Sequence, residues 1–398
     1  MPWKSSSLIL ERERFALSVL GSQKSFARVC AEYGVSRRTG YKWLRRYRAG
    51  GVAALRDRSR RPQRYARQKP ARWKRSVKQV RRARPSWGAK KIRARLRELH
   101  SHARLPAVRT ITRWLRELGL VGVAPRRARS GPLVPHPGLT TPCRCHQVWT
   151  VDFKGWFRTA DGQRQEPLTV REAKSRYLLE IRLLPQQSDQ AVRRVLTRLF
   201  RRHGLPTAIR VDNGAPFGGK GALGLSRLSL WWLRLGIRVE FTRRARPGDN
   251  AAHEQLHRCY KAEVLDPPSG NRRAQQRRTD RWRYDYNHRR PHEALAQKPP
   301  ARYYRPSTRP WPQTLPLLRY PKNWAQRRVR PHGEIKWQGR LRFVGRAFVG
   351  QTLGLKRLAP SCWALHLGPL LVGELHARDA AGMRPARWHR LPHHPLKL

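Results

Sequence analysis

Acidic residues are scarce in this sequence of 398 residues. It contains 24 Asp and Glu against 88 Lys and Arg, which gives a formal net charge of +64. A compact chain with that charge repels itself strongly unless a polyanion neutralises it. Nucleic acid is the natural polyanion, because each phosphate contact releases counterions. The few acids that remain are therefore the most informative residues of the chain.

Cysteines and long apolar runs are also few. The five cysteines are odd in number and scattered, which is typical of a reducing compartment rather than of a disulfide framework. Cys143, Cys145 and His146 lack a second Cys/His pair at finger spacing, which disfavours zinc there. No apolar run approaches ~20 residues, so the sequence predicts no membrane span. We expect a cytoplasmic protein.

An apolar fraction of 39% with 15 Trp is enough for packed cores, and the length permits two to four domains. Composition shifts divide the chain into six predicted segments. These are a helix-turn-helix domain at 1–55, a basic linker at 56–75, a second helix-turn-helix-like domain at 76–122, a linker at 123–146, an α/β core at 147–305 and a β-rich domain at 306–398.

Apolar stripes predict three short helices within residues 7–50. Ser36 is a good N-cap for the third helix, in which we expect Tyr41 and Leu44 to face inward. A helix-turn-helix with a basic second helix is typical of DNA contact, whereas an ordinary three-helix bundle is the alternative. The residues expected to face outward and bind DNA are Arg37, Arg38, Thr39 and Lys42.

From Val148 onward the pattern changes to three strands, a helix, a strand, a helix, a strand and a helix, which predicts a mixed α/β sheet. Asp152 lies on the first strand, Asp212 ends the fourth, and Glu254 lies on the last helix of this series. A further helix should end in a turn at Pro291. Short strands after Val329 predict a small β-barrel or an open sheet.

Three carboxylates that converge on one point need compensating positive charge. Carboxylate oxygens suit Mg²⁺, and two such ions can promote attack at phosphorus without a covalent enzyme intermediate. On a helix, Arg258 and Lys261 share a face with Glu254, which suits a metal beside a phosphate backbone. The alternative is a surface ion pair between Glu254 and Arg258.

Several segments together carry a specific resemblance. The sequence resembles transposases of bacterial insertion sequences with a retroviral-integrase-like DDE catalytic core, over nearly the whole chain. The matching segments are Trp149-Thr-Val-Asp152-Phe-Lys-Gly-Trp156, Ser175-Arg-Tyr177-Leu, His203-Gly-Leu-Pro206, Ile209-Arg-Val-Asp212-Asn-Gly214, His253-Glu254-Gln-Leu-His257-Arg258 and Asn287-His-Arg-Arg-Pro291-His292-Glu-Ala-Leu295.

This resemblance implies an RNase H-like core in which Asp152, Asp212 and Glu254 are catalytic and bind Mg²⁺ or Mn²⁺, with two ions expected. It implies a polynucleotidyl transferase and endonuclease that binds the terminal inverted repeats, cleaves the element ends and integrates them into target DNA. It also implies a homodimer or larger assembly on double-stranded DNA, associated with the bacterial nucleoid, and an SH3-like C-terminal domain.

The chain departs from the family at two positions. Ala251 stands where the family usually has Gly, and Ala252 where it often has Arg. Two alternatives therefore remain: a catalytically decayed copy that acts only as a DNA-binding repressor, and an RNase H-type nuclease. The intact carboxylates argue against the first. The paired helix-turn-helix units argue against the second, because a nuclease of RNA–DNA hybrids does not need to read sequence.

Overall fold

The computed structural model describes residues 7–58, 70–121, 138–243, 247–380 and 382–386. The chain forms two compact units, residues 1–69 and residues 70–398, which are described separately. Most of the two predicted linkers, residues 59–69 and 123–137, lies outside the described residues.

The first unit contains three helices, as predicted: α1 (Leu8–Gly21), α2 (Phe26–Glu32) and α3 (Arg37–Gly50). They enclose a core that includes Phe15, Val29 and Trp43. The Oγ of Ser36 accepts a hydrogen bond of 3.2 Å from the backbone N–H of Thr39, which confirms the predicted N-cap.

The inward orientation predicted for Tyr41 is wrong. Its side chain is 60% exposed, and its ring stacks on Phe26 with the centroids 4.1 Å apart. The buried face of α3 instead consists of Gly40, Trp43 and Leu44, which follow helical spacing of three and four residues. Tyr41 lies one residue after Gly40 and is therefore rotated away from that face.

The second unit begins with three helices: α4 (Ala71–Ala83), α5 (Ala89–Leu99) and α6 (Val108–Glu117). Their apolar faces meet around Val77, Ile92 and Ile111, which are fully buried. Helix α4 starts inside the segment 56–75 that the sequence predicts to be a linker. The Arg- and Lys-rich composition of that segment conceals Trp73, which is buried in the same helix as Val77.

A six-stranded sheet forms the centre of the second unit. Its main order is β4-β3-β1-β5-β6; β1, β3 and β4 are antiparallel neighbours, whereas β5 and β6 run parallel to β1. Strand β2, which pairs with the start of β3, is only two residues long and was not predicted. The strands are β1 (Val148–Phe153), β2 (Phe157–Arg158), β3 (Arg164–Glu172), β4 (Leu178–Leu184), β5 (Ala208–Val211) and β6 (Arg238–Phe241).

Four helices cover this sheet: α7 (Asp189–His203), α8 (Arg227–Arg234), α9 (Ala251–Val264) and α10 (Arg272–His288). Leu179 packs in the cluster of α7 and α8, whereas Leu178 packs in that of α9 and α10. Because neighbouring strand residues point to opposite faces, the two pairs of helices lie on opposite sides of the sheet. The fold class predicted from the sequence is thereby confirmed: N-terminal helical units, an α/β core and a β-rich C-terminal region.

The C-terminal region contains a five-stranded sheet of order β13-β12-β11-β10-β7 and a separate β8–β9 hairpin. Within the described residues the two outer strands do not pair with each other, so this is an open sheet rather than a barrel. No helix in the described part of the chain is long and apolar enough to cross a membrane. The strands are β7 (Ala325–Arg328), β8 (Glu334–Trp337), β9 (Arg340–Phe343), β10 (Thr352–Ala359), β11 (Cys362–Leu367), β12 (Leu370–His376) and β13 (Arg384–Pro385).

Candidate active site

Parallel pairing of β1 with β5 places two of the three predicted carboxylates side by side. Val148 pairs with Ala208 and Thr150 with Arg210, a constant offset of 60 residues. Continued along the strands, this register puts Asp152 opposite Asp212, which follows β5 directly. Neighbouring strands lie about 4.8 Å apart, so the two aspartates share one end of the sheet.

Helix α9 brings Glu254 to the same place. The Nδ2 of Asn250, just before the helix, lies 3.5 Å from Oδ2 of Asp152. Burial and the negative charges of Asp212 and Glu254 raise the pKa of Asp152 to about 7. Burial also raises the pKa of Asp212. The three acids therefore form one electrostatic group, in which Asp152 is the member most affected by the others.

The hydroxyl of Thr169 is the centre of a buried hydrogen-bond network below this group. Its Oγ1 lies 2.9 Å from the carbonyl oxygen of Asp152, 2.6 Å from Nε2 of His253 and 2.8 Å from Nε2 of His257. A carbonyl only accepts, so the hydroxyl donates its one proton to Asp152. Both histidines must then donate from Nε2, and Nδ1 of His253 accepts from the hydroxyl of Thr150 at 2.8 Å.

This network fixes the tautomer of His257 and leaves its Nδ1 unprotonated. That nitrogen lies 4.0 Å from Oδ2 of Asp152. Burial, with Lys154 and Arg171 nearby, lowers the pKa of His257 to about 3, so the ring is neutral at neutral pH. A nitrogen lone pair and a carboxylate oxygen thus face each other, and a cation or proton between them would be stabilised by both.

Positive charge borders the acids on one side. Lys154 lies two residues after Asp152. Burial and the charge of Lys261 lower the pKa of Lys154, whereas the charge of Asp152 raises it by a smaller amount. Lys261 therefore lies near Lys154, on the helix that carries Glu254. Arg258 lies between Glu254 and Lys261 on the same helix and is exposed.

The departures at residues 251 and 252 leave the local geometry intact. Ala251 is the first residue of α9 and is not among the residues with positive φ, so its position does not require glycine. The carbonyl of Ala252 accepts a hydrogen bond of 2.8 Å from the buried Arg171, which fixes the first turn of the helix against β3.

Sequence reasoning missed four residues of this site: Thr169, His253, His257 and Lys154. The two histidines lie four residues apart on either side of Glu254, and this spacing was a usable signal. The same spacing occurs in zinc peptidases, where both imidazoles bind the metal. Here both Nε2 atoms bind Thr169 instead, which excludes that arrangement.

The donor set fits a hard divalent cation. The charges of Asp212 and Glu254 help to raise the pKa of Asp152, and the three carboxylates supply several oxygen ligands. Asp152, Asp212 and Glu254 would hold such an ion, and Nδ1 of His257 is the one nitrogen of the cluster directed at Asp152.

The short Cys143–His146 segment is not a second metal centre. Nδ1 of His146 accepts from the indole N–H of Trp149 at 2.9 Å, and its Nε2 lies 2.6 Å from the carbonyl oxygen of Arg305. Both ring nitrogens are therefore occupied, and the Sγ of Cys145 donates to the carbonyl of Tyr303.

The residues predicted to contact DNA in the first unit are all on α3. Arg37, Arg38 and Lys42 are exposed, as expected, and Lys42 Nζ lies 4.6 Å from the centroid of the Trp43 ring. Thr39 is only half-exposed, and its hydroxyl lies 3.0 Å from Oγ of Ser36, so its side chain takes part in the helix cap.

Three family profiles match the chain. A helix-turn-helix domain matches residues 11–63, a homeodomain-like domain residues 39–115, and the integrase core domain residues 235–300. The last range contains α9 with Glu254. The α/β fold together with this match defines an enzyme of the polynucleotidyl transferase type with an integrase-like core.

Two relatives come from insertion elements. The uncharacterized 31.7 kDa protein of IS407 from Burkholderia multivorans is 30% identical over 194 residues, 48% of this chain and 67% of that protein. The uncharacterized 39.2 kDa protein of IS476 from Xanthomonas euvesicatoria is 27% identical over 182 residues, and the alignment spans about half of its length, 51%. The chain belongs to the transposases of bacterial insertion sequences that have an integrase-like core.

Solved retroviral integrases are more distant. The HTLV-2 integrase catalytic core domain in complex with magnesium aligns with 42% of this chain and 100% of its own, at 10% identity and a TM-score of 0.33. A chain of the simian T-cell lymphotropic virus intasome in complex with PP2A regulatory subunit B56 gamma aligns with 78% of this chain and 98% of its own, at 13% identity and a TM-score of 0.37.

Replacement of Thr169 by Val tests the buried network. The change keeps the shape but leaves two imidazole N–H groups and a carbonyl without a partner, so we expect a loss of roughly 2–4 kcal/mol in the free energy of unfolding. Thr169→Ser keeps the hydroxyl and should stay within about 1 kcal/mol of wild type. Urea denaturation measures both, and equal losses in the two variants would contradict the role of the hydroxyl.

The raised pKa of Asp152 predicts a pH-dependent stability in metal-free protein. The folded pKa of about 7 lies above the unfolded value of about 3.9, so ionisation destabilises the fold increasingly as the pH rises between these values. With a chelator present, Asp152→Asn should therefore raise the free energy of unfolding by roughly 2–4 kcal/mol at pH 8 and change it little at pH 4.

Asp161→Asn is the matched control for that measurement. A hydrogen bond from Thr159 lowers the pKa of Asp161, so its removal should give no stabilisation at pH 8. A gain from Asp152→Asn that is the same at both pH values would contradict the electrostatic explanation.

Proposed function

We propose that this chain is a DDE transposase whose catalytic residues are Asp152, Asp212 and Glu254. One observation supports the proposal: Asp152 lies opposite Asp212 in the β1–β5 register, and burial together with the charges of Asp212 and Glu254 raises its pKa to about 7. A charge arrangement that is unfavourable in the free protein is typical of a site built to bind cations.

The proposed cofactor is Mg²⁺ or Mn²⁺, as two ions held by the three carboxylates. Bound there, the ions would supply Lewis acidity that activates a water or a 3′-hydroxyl and stabilises the leaving oxygen at phosphorus. The protein itself holds the ligand groups in place. The sheet fixes both aspartates, Thr169 fixes the backbone of Asp152, and His257 offers Nδ1 as an acceptor beside Oδ2 of Asp152.

Lys154, Arg258 and Lys261 support a DNA backbone next to the acids. Lys154 and Lys261 lie near enough to each other that the charge of Lys261 lowers the pKa of Lys154. An anion between them would relieve this repulsion. A phosphate of the DNA strand meets that requirement, so we assign Arg258 and Lys261 to DNA binding and add Lys154 to them.

The element ends are the proposed specific substrate. Arg37, Arg38 and Lys42 on α3, with Thr39 at its cap, would contact the terminal inverted repeats, and the core would cleave the ends and join them to target DNA. The proposed division of labour follows the predicted domains: DNA reading within 1–55 and 76–122, catalysis within 147–305, and a β-rich support within 306–398. Joining two ends favours a homodimer or larger assembly on DNA in the bacterial nucleoid.

The carboxylates are tested one at a time. Asp152→Asn, Asp212→Asn and Glu254→Gln should each abolish Mg²⁺-dependent strand transfer, because each removes a metal ligand, while binding to end DNA stays within a few-fold of wild type. Strand transfer on labelled element ends and a gel-shift titration measure the two properties. Glu98→Gln, an exposed acid on α5, is the control and should remain active.

The outcomes separate the alternatives. Cleavage retained by all three variants would remove these residues from the mechanism. A wild-type protein that binds the ends but cleaves nothing in Mg²⁺ or Mn²⁺ would be the decayed repressor. Cleavage confined to RNA–DNA hybrids would identify the nuclease.

The reading helix is tested through the salt dependence of binding. Each phosphate contact contributes a little under one unit to the slope of log K against log salt concentration. Arg37→Ala, Arg38→Ala and Lys42→Ala combined should therefore weaken binding and reduce the slope by about one unit per lost contact. Arg14→Ala on α1, 66% exposed at its side chain, is the control. An unchanged slope in the triple variant would show that α3 is not the reader.

A further inference from the structure

Three metal-ligating side chains meet on the C-terminal sheet, in a different part of the fold from the carboxylate site. Cys362 begins β11 and pairs directly with His376, which ends β12. Glu374 lies two residues before His376 and so projects from the same face. Leu375, between them, is fully buried on the opposite face. The cluster therefore lies on the outer side of the sheet, away from the apolar core.

The ligand atoms have the spacing of a tetrahedral metal site. Sγ of Cys362 lies 3.6 Å from Nε2 of His376, and the same nitrogen lies 3.2 Å from Oε2 of Glu374. All three ligand atoms are within 4.8 Å of one another. Around tetrahedral zinc, with bonds of about 2.3 Å to sulfur and about 2.0–2.1 Å to nitrogen and oxygen, the S–N edge is about 3.6 Å and the N–O edge about 3.3 Å.

Hydrogen bonding would leave this cluster only partly satisfied. The thiol and the carboxylate both face Nε2 of His376, yet one ring nitrogen has either one proton or one lone pair to offer. If it donates to Glu374, it offers the thiol at most a share of the same proton, and sulfur is a weak acceptor. For the same reason the three residues are not a nucleophile relay, in which the carboxylate binds the ring nitrogen opposite to the one that faces the nucleophile.

We propose that Cys362, Glu374 and His376 bind a zinc ion. Thiolate, imidazole and carboxylate are the three ligand types that zinc takes in proteins, whereas a thiolate excludes Mg²⁺. The nearby Asp379 is held by Arg384 through bonds of 2.6 and 2.8 Å, so the fourth position belongs to water or to an external ligand. The ion joins the start of β11 to the end of β12, and thereby fastens the outer part of this sheet.

Cobalt substitution in the full-length protein tests the site. Chelator-treated protein titrated with Co²⁺ should develop a thiolate-to-cobalt charge-transfer band in the near ultraviolet and visible bands of tetrahedral intensity, and Zn²⁺ should displace both. The charge-transfer band reports a cysteine ligand. Ions bound at the carboxylate site do not produce it, because Asp152, Asp212 and Glu254, with the neighbouring His253 and His257, include no thiol.

Variants assign the band to its ligands. Cys362→Ser should abolish it, and His376→Asn should abolish it or weaken cobalt binding to the level of Cys362→Ser. Cys145→Ser is the matched control and should leave the band unchanged, because Cys145 belongs to the segment where both nitrogens of His146 are occupied. Thermal unfolding of the metal-free variants, followed by circular dichroism, checks that each is folded. Addition of Zn²⁺ should raise the Tm of wild type and of Cys145→Ser by more than that of Cys362→Ser, in which only the carboxylate site can still bind the ion.

The result that overturns the proposal is equally clear. Absence of the band in folded wild-type protein, or its persistence in Cys362→Ser, would show that these residues do not bind a transition metal. Failure here leaves the proposed strand-transfer activity untouched, since the two sites share no residue.

Discussion

Burial of Asp152 beside two further carboxylates is the constraint on which this site depends. The register of β1 and β5 places Asp152 beside Asp212, and α9 adds Glu254, although each charge opposes the ionisation of Asp152. The surrounding groups hold this arrangement in place without neutralising it. Thr169 binds the backbone of Asp152 and two neutral histidines, and Arg171 anchors the first turn of α9 through the carbonyl of Ala252. The repulsion is therefore retained in the free protein, where a bound cation can relieve it.

Much of the fold could be predicted from local sequence. Apolar periodicity gave α7 and α8 within a residue or two, and Ser36, Ser188 and Ser226 all cap helices. Prediction from the sequence failed at positions where tertiary contacts determine which side chains are buried. Tyr41 lies outside because Gly40 provides the close contact instead: a Cβ at Gly40 would lie 2.7 Å from Sγ of Cys30. Helix α10 starts at Arg272, and apolar periodicity does not reveal this start because the first turns are polar and their burial comes from residues such as Gln275.

The candidate active site likewise contains residues that local sequence identifies and residues whose roles depend on tertiary contacts. The three acids could be identified from the sequence because acidic residues are scarce and because each of the three stands in a recognisable motif. Their assignment as catalytic remains a prediction. The roles of Thr169 and His257 were not accessible to sequence reasoning, since they arise from contacts 84 and 88 residues apart along the chain between Thr169 and the two histidines. Isolated histidines and threonines carry no signal of their own. Only the spacing of His253 and His257 around Glu254 hinted at a shared neighbour.

Glu263 gives the helix of Glu254 a fixed rotation about its own axis. It lies nine residues further along α9, about two and a half turns. Its carboxylate accepts hydrogen bonds from Ser86, between α4 and α5, from Trp282 on α10 and from Arg290. Turning α9 enough to withdraw Glu254 from the aspartates would break contacts to three separate parts of the chain. The direction in which α9 presents Glu254 is thus set from the far end of the helix, by the hydrogen bonds of Glu263.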